Sequence, residues 1–208
     1  MGRQRAHRTL ENAMRRDGFR WIAGTDEVGR GCLAGPVVAA AVVLDPDRHI
    51  PGLADSKLLT AAARERLFVV IAERAAAWAV GSASPAEIDQ LNIHKASLEA
   101  MRRAVLALEP LPDCVLVDAF TIPGIEMAQR AVAHGDRCCA AIAAASIMAK
   151  VTRDREMCTH HGRDPRYGFD RHKGYATEVH LVAVGRYGYS TLHRQSFRAR
   201  ALFDRIET

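Results

Sequence analysis

One stretch of eight residues constrains the fold more than any other part of the chain. Val37–Leu44 consists only of valine, alanine and leucine, and it lies between a glycine-rich loop and a polar segment. A short, uninterrupted apolar run with several β-branched residues predicts a buried strand. A sheet that contains such a strand needs cover on its faces, so the chain must also supply helices that pack there.

The remaining sequence provides these elements. Strands are predicted at residues 19–25 and 114–117, and helices at residues 60–78, 93–108, 140–158 and 177–184. Ser84 and Glu87 form a capping-box pattern with Pro85 at the first helical position, so another helix begins there. Strands followed by alternating helices and strands predict an α/β fold in which helices flank a mixed sheet.

Size and composition suit one domain with its own core. The chain has 208 residues, of which 49% are hydrophobic. No apolar run approaches roughly 18 residues without a charge, which predicts that no segment spans a membrane. The basic N-terminus lacks the apolar stretch of a secretory signal, so we expect a cytoplasmic protein. Five cysteines at irregular spacing, without a CxxC pair, predict neither a disulfide framework nor a structural zinc site.

Charge is distributed unevenly along the chain. The formal net charge of +5 divides into +4 for residues 1–20, −4 for residues 21–149 and +5 for residues 150–208. An acidic centre between two basic ends fits a metal-binding core flanked by surfaces that bind phosphate. An ordinary solvated surface could give the same totals, so charge alone does not establish nucleic-acid binding.

Four carboxylates lie next to apolar segments where they could meet. Asp26 and Glu27 follow the first predicted strand, Asp118 follows the strand at residues 114–117, and Asp136 precedes the long apolar helix. Each alone could be a helix cap or a turn residue. Together at one end of a sheet they would repel one another unless cations lay between them, and Mg²⁺ and Mn²⁺ prefer such oxygen ligands. A pair of such ions can activate water for cleavage of a phosphodiester.

The glycine-rich loop that follows the first carboxylates has two predicted roles. Adjacent residues of a regular strand face opposite sides, so Asp26 and Glu27 can serve one site only if the chain turns there, as Gly29 and Gly31 would allow. These glycines also let backbone N–H groups approach a ligand, and Arg30 between them adds a charge-assisted contact.

Two short motifs bear on nucleotide and phosphate binding. A nicotinamide-binding GxGxxG fingerprint is excluded, because the third glycine is Gly35, one place too late, and Pro36 and a strand follow it instead of a helix. Ser56 and Lys57 follow Asp55 and offer a hydroxyl and an ammonium, as phosphate sites do. An ordinary polar turn has the same composition.

The sequence resembles bacterial ribonucleases HII, the type 2 ribonucleases H, in blocks that occur in order over about residues 21–198. The blocks are TDEVGRG at 25–31, LAGPVVAA at 33–40, DSK at 55–57, EIDQLNI at 87–93, VD at 117–118, GD at 135–136, AAASIMAKVTRD at 143–154, HKGY at 172–175 and HRQSF at 193–197. The related type 3 enzymes carry a threonine in the middle of the GRG block and a long extra N-terminal domain. Arg30 and the short N-terminus therefore favour type 2.

The resemblance implies a fold and an activity. The fold is ribonuclease H-like, with a five-stranded mixed sheet flanked by helices; a basic arm of residues 1–18 precedes a catalytic domain of residues 19–208, which includes a helical C-terminal extension from about residue 160. The activity is that of an endoribonuclease that cleaves the RNA strand of RNA–DNA hybrids and nicks 5′ of single ribonucleotides embedded in duplex DNA. Two metal ions, Mn²⁺ or Mg²⁺, would serve hydrolysis to 3′-hydroxyl and 5′-phosphate ends. Its role would be ribonucleotide removal from DNA, and we expect a monomer.

The resemblance also assigns the site residues. The carboxylates that would hold the metals and serve catalysis are Asp26, Glu27, Asp118 and Asp136. The residues that would contact nucleic acid are Gly29, Arg30 and Gly31 with Tyr175, which read the 2′-hydroxyl at an RNA–DNA junction, and Ser56 and Lys57, which help to hold backbone phosphate. The alternatives are another nuclease of the same fold that acts on DNA and a non-catalytic protein that binds hybrids, although the latter would be expected to have lost carboxylates.

The sequence departs from the family pattern at three positions. Cys32 and Ala176 stand where prolines are common, and Leu58 stands where a second lysine is frequent. None of these changes removes a predicted ligand or Tyr175, so we expect effects on rate and local rigidity rather than on the reaction. Three histidines could act as acids or bases, but we interpret them as hydrogen-bonded or surface residues: His94, His172 and His193.

Overall fold

The structure is a computed structural model that describes residues 6–197. Residues 1–5 of the predicted arm and 198–208 of the predicted catalytic domain lie outside the described residues. The strands are β1 (Ile22–Val28), β2 (Val37–Leu44), β3 (Ala75–Ala83), β4 (Cys114–Asp118) and β5 (Ala128–Val132). The helices are α1 (Thr9–Arg16), α2 (Ala61–Arg74), α3 (Pro85–Leu91), α4 (Ile93–Leu106), α5 (Gly135–Cys138), α6 (Ala140–Arg163), α7 (Phe169–His172) and α8 (Glu178–Tyr187), with short 3-10 helices at Ser56–Leu58 and Pro165–Tyr167.

The strands form one mixed sheet in the order β3-β2-β1-β4-β5. β1 and β2, and β2 and β3, pair antiparallel, whereas β4 pairs parallel with both β1 and β5. The predicted five-stranded mixed sheet with flanking helices is confirmed. The parallel pairing of β1 with β4 determines where the candidate site lies, because it brings the carboxyl ends of both strands to the same edge of the sheet.

β2 is the buried central strand that its composition predicts, since every one of its residues is buried. Alternate side chains face the two layers of the core. Ala40, Val42 and Leu44 pack in the layer that contains α6, and Ala39 and Val43 pack in the layer that contains α4. The sheet is therefore covered on both faces, as a strand without polar residues requires.

One predicted helix is wrong at its C-terminal end. We expected a helix over residues 60–78, but α2 ends at Arg74 and Ala75–Ala83 forms β3. Alanine favours helices, but the pairing with β2 and the packing against α4 override that propensity. Gly81 shows how closely α4 packs on this strand, because a Cβ atom there would lie 2.3 Å from the carbonyl oxygen of Ala100. The short elements β5 and α5 were not predicted either.

Both ends of the described chain pack against the rest of the fold. Near the N-terminus, Leu10 of α1 packs against the core, and the buried carboxylate of Glu11 accepts the N–H of Ala141 at 2.7 Å. This contact satisfies a free N–H in the first turn of α6. After α6, Tyr167 packs with Ala34 in a separate apolar cluster, which joins the C-terminal helices to the loop before β2. Within residues 6–197, every helix is too short or too polar to span a bilayer.

Candidate active site

Asp26 and Asp118 lie at neighbouring positions on the sheet. Thr25 is paired with Val117 in the parallel β1–β4 register, and the two aspartates are the next residues on each strand. Asp26 is almost fully buried, with 6% of its surface exposed. Asp118 Oδ1 accepts the N–H of Gly135 at 2.8 Å, which brings the start of α5 to the same edge. Since the next residue is Asp136, three of the predicted carboxylates come together from β1, the end of β4 and the first turn of α5.

The turn predicted between Asp26 and Glu27 is absent, because β1 continues regularly to Val28 and the chain turns only at Gly29. The N–H of Glu27 instead donates to Asp26 Oδ1 at 2.8 Å. The Glu27 carboxylate is paired with the guanidinium of Arg30 at 3.0 Å. Glu27 nevertheless lies near enough to Asp118 for that negative charge to raise its pKa. The long glutamate side chain thus remains in the electrostatic environment of the other carboxylates without a bend in the strand.

The carboxylates disfavour ionisation of one another. Burial raises the pKa of Asp26 well above its ordinary value, and the charges of Glu27 and Asp118 raise it further, while a hydrogen bond from Ser146 lowers it. Burial also raises the pKa of Glu27, against the effect of Arg30. Burial and mutual repulsion together disfavour the charged forms of these carboxylates, and a bound cation would offset both effects.

Asp136 is in a similar environment. Burial and the charges of Asp55 and Asp118 raise its pKa, whereas Lys57 and Arg137 lower it. The Lys57 ammonium lies 3.7 Å from Asp136 Oδ2. Burial alone would lower the pKa of Lys57, but the surrounding carboxylates together raise it. One ammonium group is therefore attracted by several carboxylates and neutralises only part of their charge.

The donor set fits hard divalent cations. All four predicted ligands offer carboxylate oxygens, and their repulsion is relieved when a cation binds between them. Within residues 6–197, no group of three or more histidine, cysteine, aspartate or glutamate side chains is already arranged to enclose an ion. Ions such as Mg²⁺ keep several waters and are bound by one or two carboxylates together with substrate phosphates, so they do not need an enclosing set of protein ligands.

Ser56 and Lys57 have different environments. Ser56 is buried, and its hydroxyl lies 2.9 Å from the hydroxyl of Ser146, the residue that also hydrogen-bonds Asp26. The Lys57 side chain is 79% exposed. Of the two residues predicted to hold phosphate, only Lys57 presents its polar group to solvent. The contact of Ser56 instead connects this loop to Asp26 through Ser146, a link that the polar DSK pattern did not indicate.

The loop that contains the predicted Gly29-Arg30-Gly31 block lies against the segment that carries Tyr175. The N–H of Leu33 donates to the carbonyl of Gly174 at 2.9 Å. A Cβ atom on Gly174 would lie 2.3 Å from the carbonyl oxygen of Ala34, so only glycine fits at this contact. Tyr175 is 41% exposed beside this loop, and its hydroxyl lies next to the thiol of Cys32. The structure thus brings together the two groups that were predicted to read the 2′-hydroxyl.

Two fully buried arginines hold this loop, and sequence analysis gave them no role. Arg194 donates to the carbonyls of Gly29 at 2.6 Å, Arg30 at 2.9 Å and Gly35 at 2.9–3.0 Å. A tight loop with several buried carbonyl groups needs donors from elsewhere. The sequence shows that need but does not identify the residue that meets it, 159 or more positions away.

Arg153 has the equivalent role from α6. It donates to the carbonyls of Ala34 at 3.0 Å, Pro36 at 2.9 Å and Lys173 at 2.9 Å. It therefore connects the loop before β2 with the segment before Tyr175. The relative placement of the glycine loop and Tyr175 depends on this single side chain as well as on the direct backbone contacts.

Comparison with known proteins decides the family. The family model for ribonuclease HII matches residues 23–201. The ribonuclease HII of Geobacillus thermodenitrificans is 56% identical over 180 residues, which cover 86% of this chain and 69% of that protein. The chain belongs to the ribonuclease HII family. The ribonuclease HII of Nitrosococcus oceani is 55% identical over 177 residues, which cover 85% of this chain and 88% of that protein.

A solved structure agrees with this assignment. The crystal structure of the ribonuclease H2 from Pyrococcus horikoshii OT3 matches with a TM-score of 0.73 and 27% identity, and the match covers 91% of this chain and all of that chain. Membership of the ribonuclease HII family makes the protein a ribonuclease H hydrolase, which favours an enzyme over the alternative of a non-catalytic binding protein. It also confirms the type 2 assignment that Arg30 indicated.

Proposed function

We propose that the protein cleaves the RNA strand of RNA–DNA hybrids and nicks 5′ of single ribonucleotides embedded in duplex DNA, leaving 3′-hydroxyl and 5′-phosphate ends. The observation that carries this proposal is the placement of Asp26 beside Asp118 on two parallel strands, with Glu27 and Asp136 in the same buried group of mutually repelling carboxylates. The biological role of the protein would be the removal of ribonucleotides from DNA.

Asp26, Glu27, Asp118 and Asp136 would hold a pair of Mn²⁺ or Mg²⁺ ions. Such ions, when bound, activate water and stabilise the charge that develops on a phosphodiester during hydrolysis. The raised pKa values of Asp26, Glu27 and Asp136 support this assignment, because burial and the neighbouring carboxylates disfavour their charged forms and a bound cation would offset both. All four ligands come from one chain, so we propose that the monomer is active.

The surrounding residues would bind and orient the duplex. Lys57, with its exposed ammonium, is the proposed contact for backbone phosphate. Gly31 allows close approach of the sugar to the loop backbone, and Tyr175 with its partly exposed phenol would hydrogen-bond the 2′-hydroxyl, the group that distinguishes RNA from DNA. Arg30 would link metal binding with recognition of the sugar. Its guanidinium pairs with Glu27 at 3.0 Å, and it belongs to the loop that contains Gly29 and Gly31.

The domain organisation follows from these roles. Residues 19–208 would form the catalytic domain, and its helical extension from about residue 160 would supply Tyr175 opposite the glycine loop. Residues 1–18 would form a basic arm, part of which is α1.

The test is a cleavage map on three duplexes: a continuous RNA–DNA hybrid, a DNA duplex with one ribonucleotide, and all-DNA. With Mn²⁺ or Mg²⁺ we expect cleavage of the first two and no cleavage of the third. With EDTA we expect no cleavage at all, because no other group in the site can activate water so directly. Full cleavage in EDTA would refute the metal assignment. Cleavage of the all-DNA duplex would refute the proposed requirement for a ribonucleotide in the substrate.

Ligand variants separate catalysis from binding. Asp26→Asn, Glu27→Gln and Asp118→Asn should each lower cleavage by orders of magnitude, while binding of the hybrid survives, because a negative charge near phosphate has been removed. Asp47→Asn, in the exposed loop after β2, is the matched control and should cleave normally. If the ligand variants bind the hybrid far more weakly but cut the bound fraction at the normal rate, these residues are not metal ligands.

A further inference from the structure

Three histidines are buried together in the C-terminal extension. His180 is fully buried, and His193 and His172 are 2% and 9% exposed. The rings of His172 and His180 are stacked with centroids 4.3 Å apart, and His180 Nε2 lies 3.1 Å from His193 Nε2. The cluster is remote in sequence from the carboxylates and takes no part in the function proposed above.

The backbone determines which nitrogen of the outer two rings carries the proton. The N–H of Gly174 donates to His172 Nδ1 at 3.2 Å, so His172 Nε2 is the protonated nitrogen and donates to the carbonyl of Tyr167 at 2.7 Å. The N–H of Ser190 donates to His193 Nδ1 at 3.0 Å, so the proton of a neutral His193 is on Nε2.

The ring of His180 lies between those of His172 and His193. The carbonyl of Tyr175 can only accept, so His180 Nδ1, 2.8 Å away, must carry the proton. Its Nε2 is then an acceptor and receives the Nε2–H of His193. Each of the six ring nitrogens has a protein partner, and the pattern is satisfied only when all three rings are neutral. No lone pair is left for a metal ion or for proton transfer to a substrate.

The electrostatic environment agrees with neutral rings. Burial lowers the pKa of His180 and of His193 to about 4, and it lowers the pKa of His172 as well. The charged groups near His172 act in both directions, since Asp170 raises its pKa and Lys173 and His161 lower it. His193 otherwise faces aromatic rings, those of Tyr167 and Tyr189.

The chain of histidines ends on the backbone of Tyr175. The Tyr175 carbonyl accepts from His180, and its N–H donates to the carbonyl of His172 at 2.9 Å. The preceding Gly174 donates to the His172 ring and accepts from Leu33 in the glycine loop at 2.9 Å. The Tyr175 carbonyl also accepts the N–H of Thr177 at 2.8 Å, so the histidine cluster and this local turn together hold the peptide groups on both sides of Tyr175. Tyr175 itself is partly exposed beside the loop.

We propose that His180, supported by His193, is a positioning residue that fixes the backbone of Tyr175 so that its phenol meets the 2′-hydroxyl at an RNA–DNA junction. The inference rests on the proposed reading role of Tyr175. It adds that the precision of this contact is set by a buried, neutral histidine chain whose members do not touch the substrate.

The test compares His180→Leu with His180→Asn. Leucine removes both ring contacts, whereas the asparagine amide can keep a donor near the position of Nδ1 toward the Tyr175 carbonyl. We expect His180→Leu to lower kcat on the single-ribonucleotide duplex about tenfold, and His180→Asn to recover most of that loss. The matched control is Tyr167→Phe, which removes a hydrogen bond to the carbonyl of Gly188 in the same extension without a contact to Tyr175. An equal loss in Tyr167→Phe would overturn the proposal.

A double-mutant cycle separates this inference from the proposed function. Because His180 acts through Tyr175, His180→Leu should cause little further loss in a Tyr175→Phe background. Additive losses would overturn the positioning role while leaving the reading role intact. If Tyr175→Phe alone cleaves like the wild type, the reading role has failed, and the inference falls with it.

A readout without substrate tests the geometry directly. Nitrogen NMR of the imidazole rings should show His180 protonated at Nδ1 and both His172 and His193 protonated at Nε2 at neutral pH. Amide hydrogen exchange at Gly174 and Tyr175 should be faster in His180→Leu than in the wild type and in Tyr167→Phe. A His180 ring protonated at Nε2, or exchange unaffected by His180→Leu, would overturn the proposal whatever the activity.

Discussion

The guanidinium of Arg153 packs so closely on Gly29 that a Cβ atom on residue 29 would lie 2.2 Å from Arg153 Nε. Gly29 also has a φ of +92°, a conformation that favours glycine. Gly31 differs, because it is exposed and a Cβ atom there would meet nothing within 4 Å. The fold requires the first glycine of the block but not the second. Packing therefore does not account for the glycine at residue 31, and close approach of a ligand is the reason that we propose.

Alanine substitutions should separate these two roles. Gly29→Ala should lower the free energy of unfolding by about 1–3 kcal/mol, because the backbone is strained and Arg153 must move. Gly31→Ala should leave the melting temperature near that of the wild type and lower cleavage at a single ribonucleotide about tenfold or more. Thermal denaturation and steady-state kinetics on the two variants check both statements. Wild-type cleavage by Gly31→Ala would remove this residue from the proposed substrate contact.

Neutralising one carboxylate should stabilise the metal-free protein. The folded-state pKa of Asp26 is raised, so the folded chain binds this proton more tightly than the unfolded chain. The favourable contribution is complete below the ordinary pKa of about 4 and is lost as the pH rises through the raised value. At pH 7 in EDTA, Asp26→Asn should therefore increase the free energy of unfolding, because the asparagine amide is neutral at every pH and relieves the repulsion from the neighbouring carboxylates.

Metal binding should reverse this order of stability, so that the wild type becomes more stable than Asp26→Asn. Mn²⁺ or Mg²⁺ binds the folded state and stabilises it in proportion to the logarithm of its concentration above the Kd. Wild-type protein and the exposed control Asp47→Asn should melt higher with metal than in EDTA, while Asp26→Asn should respond much less. The same metal-dependent increase in all three proteins would argue against Asp26 as a ligand.

Tyr175→Phe tests the reading of the sugar. Phenylalanine keeps the ring and its packing but removes the hydroxyl, which is only partly exposed beside Cys32. Losing one hydrogen bond to the substrate should cost roughly 1–3 kcal/mol, equivalent to about a ten- to hundredfold fall in cleavage at a lone ribonucleotide. The fall should be smaller on a continuous hybrid, where other registers can compensate, and the melting temperature should barely change. Equal cleavage of the single-ribonucleotide duplex by variant and wild type would leave the glycine loop as the remaining candidate reader.

The sequence predicts which carboxylates come together where each one directly follows an apolar run. Asp26 and Asp118 each follow an apolar run within β1 and β4, and the pairing of these strands alone brings them together. Asp136 was harder to place, because it depends on the hydrogen bond from Gly135 to Asp118, which no local pattern encodes. Ser56 illustrates the limit, since a polar turn composition does not tell whether a hydroxyl faces solvent or a buried partner.

The features that the sequence does not predict depend on long-range polar contacts, or on packing that overrides local secondary-structure propensity. Arg153 and Arg194 hold carbonyl groups of a loop more than 115 positions away, and one sequence does not show which donor meets which acceptor. The alanines of Ala75–Ala83 favour a helix locally, and only their pairing with the buried β2 makes them a strand. His172 and His193 were expected to be hydrogen-bonded or surface residues, and the structure has both buried and hydrogen-bonded.

The histidine cluster should make the fold sensitive to mild acid. His180 and His193 have folded-state pKa values of about 4, whereas unfolded histidine titrates near 6.5, so the unfolded chain binds more protons between these values. The contribution to stability is complete above pH 6.5 and is lost as the pH falls toward 4, by at most roughly 3 kcal/mol per histidine. Asp26 acts in the opposite direction over the acidic range, so a variant is needed to isolate the effect. Urea denaturation at pH 7, 6 and 5 should show a smaller loss of unfolding free energy in His193→Gln than in the wild type, because glutamine does not titrate. Parallel pH profiles for the two proteins would mean that His193 is not held neutral in the folded state.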